Sequence, residues 1–127
     1  EFVGHVQNRA RLGSTGDAVR TIHATLETLG ERLYGGEADE LASQLPQEIG
    51  TYLRMAVEKH KYTLEQFLEQ VTNREGVDKP DAVYHARVVL EVLAEAVSKG
   101  EMADARAQLP EEISSLFESG SSGSMSP

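Results

Sequence analysis

The chain has 127 residues, no cysteine, and 21 acidic against 12 basic side chains, for a formal net charge of −9. That length holds one domain, or two small halves sharing a core, and the missing cysteines exclude disulfides, thiolate catalysis and cysteine-ligated metal centres. No apolar run reaches the roughly 18 residues of a membrane span, and without a Lys or Arg run the negative field disfavours nucleic acid.

The first element is read as a helix from near Glu1 to about Arg11, with Phe2 and Val6 apolar, followed by a turn at Gly13. Ser14 is the expected N-cap of the longest helix, and Asp17 adds negative charge in its first turn. Val19, Ile22, Leu26, Leu29 and Leu33 recur at steps of three and four, the spacing of a buried helical face. Gly35 and Gly36 are expected to end that rod. A short helix follows from Glu37 to about Ser43. Gln44-Leu45-Pro46 breaks it, because proline disfavours helix in the residue before it and suits the first turn of the next one. Ile49 and Leu53 then carry an apolar face in a helix expected to continue toward His60.

From Thr63 the pattern begins again. Thr63 and Gln66 form a capping-box signature, and Phe67, Leu68 and Val71 make the stripe of a helix ending near Arg74. Gly76 permits a positive φ in the turn. Asp78 is the expected N-cap of a second long helix, with Pro80 tolerated in its first turn. Val83, Ala86, Leu90, Leu93 and Val97 form its stripe. Val88, Val89 and Val92 lie beside that stripe, so residues 82–99 are expected to be the central helix, ended by Gly100. A short helix over Glu101 to about Ala107, the triplet Gln108-Leu109-Pro110 and a last helix stopping near Glu118 complete the chain. Residues 119–127, rich in Ser and Gly, read as a flexible tail.

The two halves say the same thing. Gly36 to Ile49 reads G-E-A-D-E-L-A-S-Q-L-P-Q-E-I and Gly100 to Ile113 reads G-E-M-A-D-A-R-A-Q-L-P-E-E-I. Upstream, Phe2 matches Phe67, Val6 matches Val71, Asn8-Arg9 matches Asn73-Arg74, Glu27 matches Glu91 and Glu31 matches Glu95. Internal duplication follows. The expected fold is all-α: two similar helical repeats, residues 1–62 and 63–118, packed about a pseudo-twofold axis around one shared core.

Reactive constellations are harder to find. His5, His23, His60 and His85 do not coincide in the register of the two halves, so they read as individual surface or boundary residues. His23, Glu27 and Glu31 share a helix face at steps of four, a spacing that suits a divalent ion but is also ordinary for a solvated face. No nucleophile elbow, phosphate loop or paired-histidine zinc motif is present. No catalytic, cofactor-binding or metal residue is therefore assigned. The duplicated Gln44 and Gln108, with Arg9 and Arg74, are the candidate recognition or structural residues. Satisfying backbone groups and linking helices is the favoured role for all four.

These residues resemble a bacterial family known as domain of unknown function 2267. The resemblance rests on Phe2, Val6 and Arg9, on Leu26, Leu29 and Leu33 of the long helix, on Gly36-Glu37-Ala38, and on Gln44-Leu45-Pro46. All recur in the second half except at Met102 to Arg106, which departs from the first copy. The resemblance implies a small helical two-repeat protein of unassigned activity and supplies no catalytic residues.

The leading functional expectation is a non-catalytic acidic interaction or adaptor module in the cytoplasm, with a protein partner or a second copy of itself. Nucleic acid, membrane insertion and cofactors are not expected. The alternative is a protein that binds a small ligand or metal in a pocket between the two repeats.

Overall fold

A computed structural model describes residues 1–119, and among them every regular element is helical. In chain order they are α1 (Phe2–Arg9), α2 (Thr15–Arg32), α3 (Glu37–Ser43), α4 (Gln47–Arg54), α5 (Leu64–Glu75), α6 (Lys79–Ala96), α7 (Lys99–Ala107), α8 (Glu111–Ser114) and α9 (Leu116–Ser119). The tail expected over residues 119–127 lies, from Gly120 on, outside the described residues.

The helix starts follow local chemistry. Ser14 Oγ accepts from the Asp17 amide at 3.1 Å, satisfying one of the orphan donors of the first turn. Thr63 and Gln66 complete their reciprocal box, at 3.2 and 3.0 Å. Asp78 is the N-cap residue of α6, but its side chain makes no capping bond. The helix ends depart from expectation in several places, and α2 is one: it closes on an extended Leu33, and Gly36 is the N-cap residue of α3 rather than a helix stop. In the turn expected at Gly13 it is Arg11, with φ 56°, that takes the left-handed position. Gly100 lies inside α7, not at a stop: Val97 is extended and Ser98 caps the next helix by accepting from the Glu101 amide at 3.1 Å.

Two long helices share the centre. α2 packs against α1, α4, α5 and α6, while α6 packs against α1, α2, α5 and α9. Residues 82–99 are thus not the only central rod, because α2, also 18 residues long, is enclosed on as many sides. The buried faces run Ala18, Ile22, Leu26, Leu29, Leu33 and Ala82, Ala86, Leu90, Leu93, Val97. Each face therefore starts at alanine, one position before the expected valine, and Val19 and Val83 are only half-buried. The alanine start continues the four-residue step of the same helical face.

Two glycines allow close helix crossings. A Cβ on Gly30 of α2 would lie 2.4 Å from the Leu53 carbonyl oxygen of α4, and one on Gly50 of α4 would lie 2.8 Å from the Ala42 carbonyl oxygen of α3. Any side chain there would separate the backbones.

The expected extension of α4 toward His60 does not form. α4 ends at Arg54, and the chain doubles back over the end of α2. There the His60 amide donates to the Glu31 carbonyl at 2.8 Å, Lys59 Nζ donates to the Gly30 carbonyl at 3.0 Å, and Arg32 Nε donates to the Tyr62 carbonyl at 3.0 Å. The connector thereby satisfies carbonyls that the last turn of α2 leaves without helical partners.

Candidate functional site

The four residues singled out in the sequence all sit where the first half meets the second. Arg74, near the end of α5, donates from Nη1 and Nη2 to the two carboxylate oxygens of Glu31 at 2.9 and 2.8 Å, and from Nη1 to Thr28 Oγ1 at 3.0 Å. Tyr62 adds a donated hydroxyl bond to Glu31 at 2.7 Å. Burial works to raise the Glu31 pKa, but the hydrogen bonds from Arg74 and Tyr62 outweigh it and hold the carboxyl below its usual range. The same carboxylate and burial together push the Tyr62 phenol up to about 12, burial being the larger cause.

Arg9, at the end of α1, makes the corresponding fork to Glu95 of α6 at 2.9 and 2.7 Å, and also pairs with Glu91 at 3.1 Å. The Arg9 hydrogen bonds lower the Glu95 pKa, against a smaller opposing effect of burial. The two forks differ in burial: the Glu31 side chain is 9% exposed and that of Glu95 is 53% exposed.

The glutamines cross in the same reciprocal way. Gln44 Oε1 accepts from the Ser98 amide at 2.8 Å. Gln108 Oε1 accepts from the Tyr34 amide at 2.9 Å, and its Nε2 donates to the Tyr34 carbonyl at 3.0 Å. Tyr34 and Ser98 are counterparts in the register of the two halves, as are Arg9 and Arg74, and Glu31 and Glu95.

A groove of about 340 Å³ lies between α1, the Gln44–Pro46 turn and the end of α6, lined by Phe2, His5, Pro46, Val92 and Ala96, with Glu95 at its rim. In the other half the corresponding space, between α5 and the end of α2, is where the connector places Tyr62 against Glu31.

The histidines are scattered. His23 pairs with Glu27 at 3.1 Å and stacks on Tyr52 with ring centroids 4.6 Å apart. Glu31, the third member of that helix face, is committed to Arg74, so the trio does not converge as a cation site. His85 hydrogen-bonds Glu75 at 2.6 Å in a largely buried pair.

One further constellation joins the two glutamates of the duplicated Gly-Glu pairs to Asp104, which is not among the residues the two copies share. α3 packs against α7, and this brings Glu37 to Glu101, its counterpart, with Asp104 beside them. Carboxylate oxygens of the three lie within 4.8 Å of one another. Glu37 is only 7% exposed, and Oε2 of both Glu37 and Glu101 is buried without a hydrogen-bond partner. Burial first, and Glu101 second, push the Glu37 pKa up to about 7. The exposed Glu40 is raised as well, chiefly by the charge of Glu101. Carboxylates gathered this way, with no ion pair to Glu37, Glu40, Glu101 or Asp104 among the described residues, can take up protons, cations or cationic side chains. The signal for this site was the Gly-Glu pair appearing twice; what the sequence lacked was the contact between α3 and α7.

A family model described as an uncharacterized conserved protein, DUF2267, matches residues 1–116. No curated protein matches the chain.

Proposed function

The chain belongs to the DUF2267 family, and we propose that it is a non-catalytic interaction module that docks a basic segment of a partner protein on the acidic face made by α3 and α7. The observation that carries this reading is the gathering of Glu37, Asp39, Glu40, Glu101 and Asp104, in which Glu101 and Asp104 raise the proton affinity of Glu37 and Glu40. Among the described residues the ion pair joining this group to a base is Arg54 with Asp39, at 2.7 Å. Such a field attracts cationic groups and repels a second, equally acidic copy of the chain, so the partner at this face is basic and not a homodimer mate. Arg9, Arg74, Gln44 and Gln108 serve on this reading as the fastenings of the module and not as its recognition surface, since each is already engaged by the other half. The proposal includes the view that residues 1–62 and 63–118 are two copies of one unit about a pseudo-twofold axis. Reciprocal fastenings and the paired contacts of α2 with α6 and α3 with α7 support it. It also includes a cytoplasmic location, which the cysteine-free composition supports; no helix among the described residues is long and apolar enough to cross a membrane.

The test is titration with a fluorescent octalysine peptide at about 50 and about 300 mM salt, spanning the change in screening length. Glu40→Gln with Asp104→Asn should weaken binding severalfold. Glu65→Gln with Glu69→Gln, an equal loss of charge on α5, should not. Equal weakening by both pairs would mean that net charge alone, and not this face, attracts the peptide.

A further inference from the structure

The duplicated polar residues of this chain divide into two kinds. Arg9 and Arg74 meet Glu95 and Glu31, and Gln44 and Gln108 meet backbone groups, so each of these is satisfied by a complementary partner. Glu37 and Glu101 meet each other. Leaving a carboxylate oxygen buried and unbonded is costly, and the cost grows when a second carboxylate is beside it. Elsewhere among the described residues the buried carboxylates face a base: Glu31 has Arg74, Glu91 has Arg9 and Glu75 has His85, although Oε1 of Glu75 is also without a partner. The junction of α3 and α7 has none among the described residues, although two of its oxygens are out of contact with water.

From this geometry we propose that Glu37, Glu101 and Asp104 together hold a divalent cation of the oxygen-preferring class, Ca²⁺, Mn²⁺ or Mg²⁺, across the α3–α7 junction. Oxygens ligating Ca²⁺ stand at about 2.3–2.6 Å from the ion, so two of them are separated by at most about 5 Å. The three carboxylate oxygens here lie within 4.8 Å of one another, which places one ion within reach of all three after small side-chain adjustments. Glu37 is nine-tenths buried, its carboxylate belongs to the group, and its Oε2 has no hydrogen-bond partner. Asp104 is exposed, leaving an entry path and room for ligating waters. The set contains neither imidazole nor thiolate, and all-oxygen ligand sets suit Mg²⁺, Ca²⁺ and Mn²⁺. Three carboxylates neutralise one such ion with charge to spare, and the ion ties α3 to α7. The site shares Glu37, Glu101 and Asp104 with the face proposed to dock a basic segment, but the metal measurement uses no peptide and the peptide titration no metal, so either reading can fail without the other.

The experiment uses the whole chain, freed of metal by chelator and dialysed. Mn²⁺ binding is followed by loss of the free-ion electron paramagnetic resonance signal, and thermal unfolding is measured with and without about 1 mM Ca²⁺ or Mn²⁺, a concentration suited to modest carboxylate sites. We expect about one Mn²⁺ per chain and a rise in Tm of a few degrees. Glu37→Gln and the exposed-site variant Asp104→Asn should each weaken Mn²⁺ binding at least about tenfold. Asp104→Asn cannot lose binding through misfolding, because that side chain is at the surface, and its metal-free Tm should match the native value. Unchanged free Mn²⁺ signal and unchanged Tm in the native chain would overturn the proposal, as would one Mn²⁺ bound equally well by both variants.

Discussion

Removing the charge of Glu31 should cost far more than removing that of its counterpart Glu95. Both receive a two-pronged arginine fork, at 2.9 and 2.8 Å for Glu31 and at 2.9 and 2.7 Å for Glu95. The surroundings differ. Glu31 is 9% exposed at its side chain and also accepts the Tyr62 hydroxyl, while Glu95 is 53% exposed. In Glu31→Gln, Arg74, itself only 24% exposed, loses its carboxylate, and breaking a largely buried pair in this way costs about 3 kcal/mol. In Glu95→Gln, Arg9 keeps Glu91 at 3.1 Å and solvent fills the gap, so the cost stays near 1 kcal/mol or below. For a domain of this size the difference is a fall in Tm of roughly 10 °C against one of a few degrees.

Urea and thermal unfolding at pH 7 measure both variants, and pH supplies an independent check. The folded Glu31 pKa is depressed, so its contribution is fully present above the unfolded carboxylate value of about 4.3 and is lost as pH falls through the folded value. The gap between native protein and Glu31→Gln should therefore be constant from about pH 6 to 8 and close below about pH 4. Equal destabilisation by the two variants, or a gap that persists in acid, would refute the claim that burial sets the worth of these forks.

Gly30→Ala should destabilise by about 2 kcal/mol or more although alanine is the better helix former by about 1 kcal/mol, because the new Cβ would stand 2.4 Å from the Leu53 carbonyl oxygen; Gly16→Ala, whose Cβ would meet only Ser14 Oγ at 3.8 Å, should be neutral or stabilising in the same thermal assay. Metal-free protein should lose stability as pH rises from about 4.5 to about 7, by at most about 3 kcal/mol before solvent screening, since the Glu37 pKa is raised to about 7 and the folded state holds that proton more tightly than the unfolded one. Glu37→Gln should flatten that slope, read from urea midpoints across pH. Leu26→Ala and Leu90→Ala, both at positions with no solvent exposure on α2 and α6, should each cost about 2–5 kcal/mol, and a small loss at either would show that its helix is not central.

What could be read from the sequence was whatever depends on neighbours along the chain. The stripes of α2 and α6, the capping box at Thr63 and the break at Gln-Leu-Pro are local patterns, and local patterns survive without knowledge of the fold. The connector was misread for the converse reason. Met55 to His60 continues a plausible helical composition, but it turns away from helix because the end of α2 offers carbonyls that only a doubled-back strand of chain can reach. Likewise, nothing near Gly30 or Gly50 in sequence announces that another backbone passes within contact distance. The Arg9 and Arg74 forks were legible as duplicated charges, yet their acids lie 86 and 43 residues away.

The acidic junction shows why some duplicated residues look unsatisfied while others do not. If the two halves are copies about a pseudo-twofold axis, as proposed, a residue far from that axis faces some other residue of the opposite copy. Complementary partners can then evolve, as Arg9 with Glu95 and Arg74 with Glu31. A residue near the axis instead faces its own counterpart, so a carboxylate there must meet a carboxylate. Glu37 against Glu101 is that case, and their repulsion follows from the symmetry and not from a packing accident. Glutamine at either position would remove it, yet the chain carries glutamate at both. A shared proton, a metal ion or a partner's cationic side chain relieves that repulsion. A cation between α3 and α7 therefore does for the junction what the two arginines do for the flanks.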